Sequence, residues 1–212
     1  MRKSDWMTKR FTALFAPLFA ISAGLLLSAA APADDPSAPF RAMLADAPLA
    51  PKVAPKGYDV TIVLFSDYQC PYCKKQHFAL LDLLAKDPKV RLIYRDWPVF
   101  GPVSKRAARL AIASQYQGRH AAFHDALMRA KGKLDENAMK AAARTAKVDW
   151  ARLEADATSH RAEIDALLRQ TDRQAEALEL EGTPGLVIGR YVLTGALNPD
   201  GLAEVVKLAR AD

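Results

Sequence analysis

The 212 residues contain two cysteines, Cys70 and Cys73, and no others. So small a complement excludes a scaffold stapled by several disulfides, and one bridge across so short a loop removes little entropy from the unfolded chain. Histidine is scarce too: His77, His120, His124 and His160, with no second cysteine pair, do not supply the recurring Cys/His spacing of a structural zinc module. His120 and His124 share a helical face, but in HAAFHDALM they read as the flank of an amphipathic helix with Phe123 and Leu127 inside. Beyond residue 27 no stretch is long and apolar enough to cross a bilayer.

Positive charge is thinner than the formal net +6 suggests. Arg2, Lys3, Lys9 and Arg10 precede an apolar run from Phe11 to Leu27 and then SAAAPA, the layout of a cleavable secretory signal peptide, with Met7 as an alternative start. An A-x-A site at Ala31 and Ala33 places cleavage after residue 33. The 179 residues left carry a formal charge of +3. Nucleic acid is therefore not an implied partner. About half the residues are hydrophobic, enough for one good core with an appended subdomain and no need of a covalent staple.

The cysteines lie in FSDYQCPYCKKQH, residues 65–77. Upstream, VTIVLF at 60–65 is uncharged and β-branched, a strand buried on both faces. Downstream, Phe78, Leu81 and Leu84 recur at helical spacing until Asp87-Pro88. Pro71 suits the first helical position, so Cys70 falls at or beside the N-cap and Cys73 in the first turn. Free N–H groups and the positive end of the helix dipole then point at the Cys70 sulfur and favour a thiolate, with Lys74 and Lys75 as nearby charges or simply solvated side chains. Three residues apart on a helix, the sulfurs come within bridging reach. Cys70 is expected to be exposed and nucleophilic, Cys73 to lie behind it as the resolving thiol. Two thiolates can also hold a soft ion such as Cu(I), and that reading stays open.

Residues 34–57 are rich in Pro and Ala and read as an N-terminal arm with one or two helical turns in FRAMLAD. VRLIYRDW at 90–97 is a second strand. Ser104 to Glu181 reads helical throughout, punctuated by Gly118 and Gly132, with Asp135 and Asp149 as N-caps and a long amphipathic helix from Ser159 carrying Ile164, Leu167, Leu168, Thr171, Ala175 and Leu178. TPGLVIG and YVLTG then form two short strands, and PDGLAEVVKLAR a closing helix.

VTIVLFSDYQCPYCKK, YRDWPVFGPVSKRAARLA, FHDAL and EGTPGLVIG occur in that order over residues 58–210. The chain thereby resembles the DsbA-like thiol–disulfide oxidoreductases of the bacterial envelope, particularly the branch of Com1-like and suppressor-of-copper-sensitivity C proteins. The resemblance implies an α/β thioredoxin fold with an inserted all-helical subdomain. Its thioredoxin parts would fall at about 58–101 and 182–212, with the insertion at about 102–181. It implies that Pro184 is a cis-proline and that Thr183 before it offers backbone groups to an extended substrate beside Cys70, where Pro71 and Tyr72 shape the surface. It also implies a periplasmic enzyme acting on exported proteins with cysteines, more an oxidase than an isomerase, and coupled to a membrane partner that is a quinone-linked oxidant or a thiol electron donor. The Cys70–Cys73 disulfide would be the electron carrier, with no separate cofactor or metal. A monomer is expected, and residues 34–57 are the only segment that could oligomerise it. One position departs from the family: many relatives carry a buried Glu six residues before the first cysteine, and Leu64 stands here. Proton handling is left to water, to Asp67 or to a group the sequence does not single out, with Asp67 read as a loop brace.

Overall fold

The computed structural model describes residues 38–46 and 48–211, so the expected signal peptide lies outside the described residues. Short helix α1 (Ala38–Ala45) and strand β1 (Lys52–Val53) come first. Strand β2 (Val60–Ser66) leads into helix α2 (Pro71–Lys86) and strand β3 (Val90–Asp96). Five helices follow: α3 (Pro102–Ala113), α4 (His120–Arg129), α5 (Glu136–Thr145), α6 (Trp150–Ser159) and α7 (Arg161–Ala177), with a 3-10 turn at Ser114–Gln117 after α3. Strands β4 (Gly185–Ile188) and β5 (Tyr191–Thr194) and helix α8 (Pro199–Ala211) close the fold.

The sheet order is β1-β3-β2-β4-β5, with β2 and β3 parallel and the other neighbours antiparallel. Parallel strands joined by a helix and followed by an antiparallel hairpin make a thioredoxin fold, and α3–α7 are the helical insertion between its halves. Alternation along β2 and β3 sorts their side chains onto two faces. Val60, Ile62, Leu64, Val90, Leu92 and Tyr94 pack with Ala79, Leu80 and Leu83 of α2 and with Leu202 and Val206 of α8. Val63, Phe65 and Ile93 point the other way, into a larger core built with α1 and the inserted helices, to which Cys70 and Cys73 also belong.

Three local expectations differ from what forms. The buried face of α2 carries Cys73, Gln76, His77, Leu80 and Leu83, whereas Phe78 is exposed and sits under the Arg129 guanidinium at 5.0 Å. Two core clusters claim α2 from different sides, which rotates the buried stripe off the Phe78-Leu81-Leu84 line. The flank of α4 is buried as well: His120 and His124 are covered along with Phe123 and Leu127, because Tyr94 of β3 lies against both rings. Within the segment expected as an arm, residues 38–46 and 48–53 are docked. Leu44 is fully buried, its carbonyl accepts from Nη2 of Arg95 at 2.9 Å, and β1 adds to the outer edge of β3. The capping expectations hold, since Asp135 accepts from Ala138 N–H and Asp149 from Arg152 N–H. No helix among the described residues is long and apolar enough to cross a membrane.

Candidate active site

Strand β2 ends at the sheet's C-terminal edge, and five residues later Pro71 opens α2. Pro71 needs no N–H partner there, so the chain turns into the helix with Cys70 as N-cap in an extended conformation. The Cys73 N–H donates to the Cys70 sulfur at 3.4 Å, and the Cys70 thiol donates to the Thr183 carbonyl at 3.2 Å. The sulfur expected to react thus also caps the helix, where first-turn amides and the helix dipole favour negative charge. Both cysteines are free thiols.

Cys70 is only 2 % exposed, not open as the sequence suggested. The Thr183 carbonyl lies over it, and the sulfur shares a cluster with Phe65 and Tyr68. Cys73 does lie inside, its sulfur accepting from the Asp67 N–H at 3.4 Å. Burial pushes the Cys73 thiol pKa well up, with the Asp67 amide pulling the other way. The Thr183–Pro184 peptide bond is cis, and Thr183 is brought against Cys70 from 113 positions away in sequence. Gly185 follows where side-chain space has run out: a Cβ there would stand 2.6 Å from Cδ1 of Leu180.

Asp67 holds the loop before α2. Its Oδ1 accepts from Gln69 N–H at 2.7 Å and from Ser104 Oγ at 2.6 Å, while Oδ2 accepts from Phe100 N–H at 3.1 Å. One carboxylate therefore ties the cysteine loop to the β3–α3 loop and to α3. Gln69 adds a second tie through Phe100 O and Ser104 Oγ. The rim of the site is apolar and open, with Tyr72 59 % exposed on α2 and Val99 and Phe100 exposed on the tied loop. Tyr72 lies under the Lys75 ammonium, 5.1 Å from the ring centroid. Lys74 does not serve the cysteines: its ammonium donates to the Ala130 carbonyl at 2.6 Å, at the end of α4, and partial burial lowers its pKa.

Behind the cysteines is a buried polar cluster that sequence reasoning missed. The Tyr68 hydroxyl and Nδ1 of His124 are 2.9 Å apart, and His77 and His120 pack against the His124 ring. Asp96, at the end of β3, completes it. Burial holds all three imidazoles below their ordinary range, His120 down to about 3. The available signal was the pair Arg95-Asp96, two adjacent charges directly after the apolar, buried run Leu92-Ile93-Tyr94.

Residues 61–207 match the DSBA-like thioredoxin domain. The chain belongs to the DSBA-like thioredoxin family. A thioredoxin-like oxidoreductase from Silicibacter pomeroyi DSS-3 superposes with a TM-score of 0.77 at 37% identity, over 81% of this chain and 98% of that one. A periplasmic thioredoxin-like protein from Salmonella enterica serovar Typhimurium gives 0.70 at 28% identity, over 82% and 98%. The catalytic domain of Proteus mirabilis ScsC gives 0.73 at 26% identity, over 83% and 97%. A sequence relative of another kind is the Na(+)/H(+) antiporter NhaA 1 of Salinispora arenicola, 26% identical over 159 residues. The chain spans about a quarter of the length of the curated relatives it matches, 24% in each case. The fold is the DsbA-like thioredoxin fold with a helical insertion that the sequence led us to expect.

Proposed function

We propose that the protein works in the periplasm, exported by its N-terminal leader, and passes disulfides to cysteine-bearing exported proteins through the CPYC pair. Cys70 is the attacked and attacking sulfur, and Cys73 the resolving one. The observation that carries this reading is the setting of Cys70, held between the Cys73 N–H and the Thr183 carbonyl at the start of α2. A substrate thiolate attacks Cys70 of the disulfide form and Cys73 leaves with the electron pair. A second substrate thiolate then attacks the mixed disulfide, and Cys70 leaves as the thiolate that the helix start favours. The open apolar rim of Tyr72, Val99 and Phe100 suits unfolded segments, and the Thr183 backbone beside the sulfur suits an extended one. The cysteine pair is the electron carrier, and a membrane redox partner restores it.

Net oxidation by a monomer is favoured over isomerisation by the state of the arm. An isomerase of this fold presents paired active sites through an oligomerising segment, and here residues 38–46 and 48–53 are packed into their own domain through Leu44, Ala50 and β1. The Cu(I)-binding alternative would have to rest on the two sulfurs, since among the described residues no three or more His, Cys, Asp or Glu side chains are placed so that they could hold a metal ion.

Cys70→Ser is expected to abolish exchange with model disulfides, and Cys73→Ser to accumulate mixed disulfides. Normal turnover in both variants would overturn the assignment. A reduction potential near about −120 mV in glutathione buffers would fit a disulfide donor, whereas roughly −270 mV would reverse the proposed direction. Sedimentation of the exported chain is expected to give a monomer, and a stable trimer would reinstate the isomerase.

A further inference from the structure

Between α3 and α7, beside the loop that carries part of the active-site rim, runs a groove of about 310 Å³ that the cysteine chemistry above does not use. Trp97, which is buried, and Pro98 line it from the end of β3. One wall is a stripe of α7, Asp165, Leu168, Arg169 and Asp172, spaced three and four residues apart. The facing wall is Lys105 and Arg109, one turn apart on α3. Val99 lines the groove where it meets the rim. Its neighbour Phe100 is hydrogen-bonded through both backbone groups to Asp67 and Gln69, and Gln69 directly precedes Cys70.

The charges of the groove do not cancel. Oδ1 of Asp165 accepts from Nε of Arg109 at 2.7 Å, and Oδ2 pairs with Nε of Arg161 at 3.7 Å. The Arg109 hydrogen bond first, then the charges of Arg161 and Arg169, hold this carboxyl below the ordinary carboxylate range. Asp172 is engaged by the Trp97 indole, whose N–H donates to Oδ1 at 2.9 Å. Among the described residues no carboxylate lies within ion-pair distance of Lys105 or Arg169. Both of these cations are exposed. Lys105, Arg109, Arg161 and Arg169 thus stand around two carboxylates that already have donors, beside an indole and Leu168. Such a surface favours a carboxylate carried on a short apolar stem. A neutral polar side chain gains no charge pairing there, and a Lys or Arg meets like charges.

We propose that this groove is a substrate subsite, taking an Asp or Glu side chain that lies a few residues from the reacting cysteine of an extended, unfolded polypeptide. The proposal rests on the disulfide-donor reading above and adds a selection among its substrates. An extended chain advances about 3.3 Å per residue, so a segment crossing Phe100 and Val99 on its way from Cys70 delivers a later side chain into the groove. Lys105 and Arg169 supply the uncommitted charge, and Trp97 and Leu168 the apolar contact for the stem. These groups act on encounter and orientation and do not touch the sulfurs, so their effect is that of charges on an interface rim, strongest at low salt.

The test is single-turnover reduction of the disulfide protein by unstructured dithiol peptides, quenched in acid and followed by chromatography. A Glu is moved through the positions flanking the first cysteine, with Gln and Lys at the same positions for comparison. At low salt the best Glu peptide is expected to react about 3–10-fold faster than its Gln counterpart, with the Lys peptide slowest, and the advantage to fall below about twofold at high salt. In the double variant Lys105→Gln, Arg169→Gln the Glu-to-Gln ratio is expected to fall to about one. Equal rates for the three peptides in the wild type, or a Glu preference that survives in the double variant or at high salt, would overturn the proposal. If no peptide reduces the protein, the disulfide-donor reading falls and the proposal with it, whereas equal reduction by all of them removes the subsite alone. Should the double variant not fold, the Trp97 indole N–H resonance of the wild type decides, titrated with peptides whose cysteines are replaced by Ser. A shift with the Glu peptide and not with the Gln peptide supports the proposal, and no shift with either refutes it.

Discussion

Replacing Leu44 by Ala probes whether the segment ahead of β2 is truly part of the domain. Leu44 is fully buried in the larger core, and its carbonyl receives the Arg95 guanidinium. The substitution keeps that carbonyl but opens a cavity, so the transfer and cavity terms together come to about 3 kcal/mol. For a domain of this size that lowers Tm by roughly 6–12 °C. Urea titration of the dithiol protein, followed by Trp fluorescence, should show a lower midpoint with an unchanged m-value, and exchange activity at 25 °C should persist. Removing residues 38–53 outright has a mixed effect. It also strips β1 from β3, but it lets water reach Arg95, whose Nε and Nη1 have no hydrogen-bond partner and whose pKa burial lowers to about 10. Deletion is therefore expected to cost less than the sum of its lost contacts. A loss below about 0.5 kcal/mol for Leu44→Ala would show that the segment is only loosely attached, and the argument for a monomer would go with it.

The remaining expectations concern acid, loop and cysteines. Buried neutral His120 and His124 take up protons on unfolding, so their contribution is complete above the unfolded imidazole range and declines as pH falls below about 6.5, for His120 down to about 3. Asp96, raised to about 7, works in the opposite sense, favouring the folded state at low pH and losing that contribution as pH rises through 7. In the acid range the buried imidazoles and the Asp96 carboxyl pull in opposite directions, so Asp96→Asn should steepen the fall of the urea midpoint as pH is lowered. A flat profile in both proteins would contradict the buried neutral histidines. Asp67→Asn sets an amide N–H2 against a backbone donor and should lose roughly 2–3 kcal/mol together with exchange rate, whereas Ser104→Ala removes its bonds to Asp67 and Gln69 for about 1–2 kcal/mol and leaves the carboxylate in place; a larger loss for Ser104→Ala in calorimetry would refute the bracing role. The Cys70→Ser and Cys73→Ser pair should separate as described, no exchange in one and trapped mixed disulfides in the other.

Much of this was legible because the local signals agree with one another. VTIVLF is a strand by composition, Pro71 starts a helix, and the two cysteines must then sit at the junction. Asp135 and Asp149 announce helix starts in the same local way. What escaped depends on contacts distant in sequence. Strand β1 is two residues long and exists through its pairing with Ile93 and Leu92. The burial of His120 and His124 depends on Tyr94 from another element, which no helical periodicity encodes. The closed position of Cys70 comes from Thr183, far along the chain. Asp67 could be read as a brace, but its partners Ser104 and Phe100 are fixed only once α3 is docked.

Arg95 and Asp96 stand side by side on β3 but serve opposite faces of the sheet, the guanidinium reaching Leu44 O and the carboxyl lying beneath α2 with Tyr68. A slip of β3 by one residue against β2 would exchange them. The cation would then enter the pocket of tyrosines and neutral histidines, and the acid would face a carbonyl oxygen with no proton between them. The apolar residues Val90, Leu92 and Ile93 would by themselves tolerate several alignments, because Val, Leu and Ile fill either face almost equally well. The two adjacent charges remove that degeneracy, so the residues that burden the core also proofread which strand alignment the chain accepts.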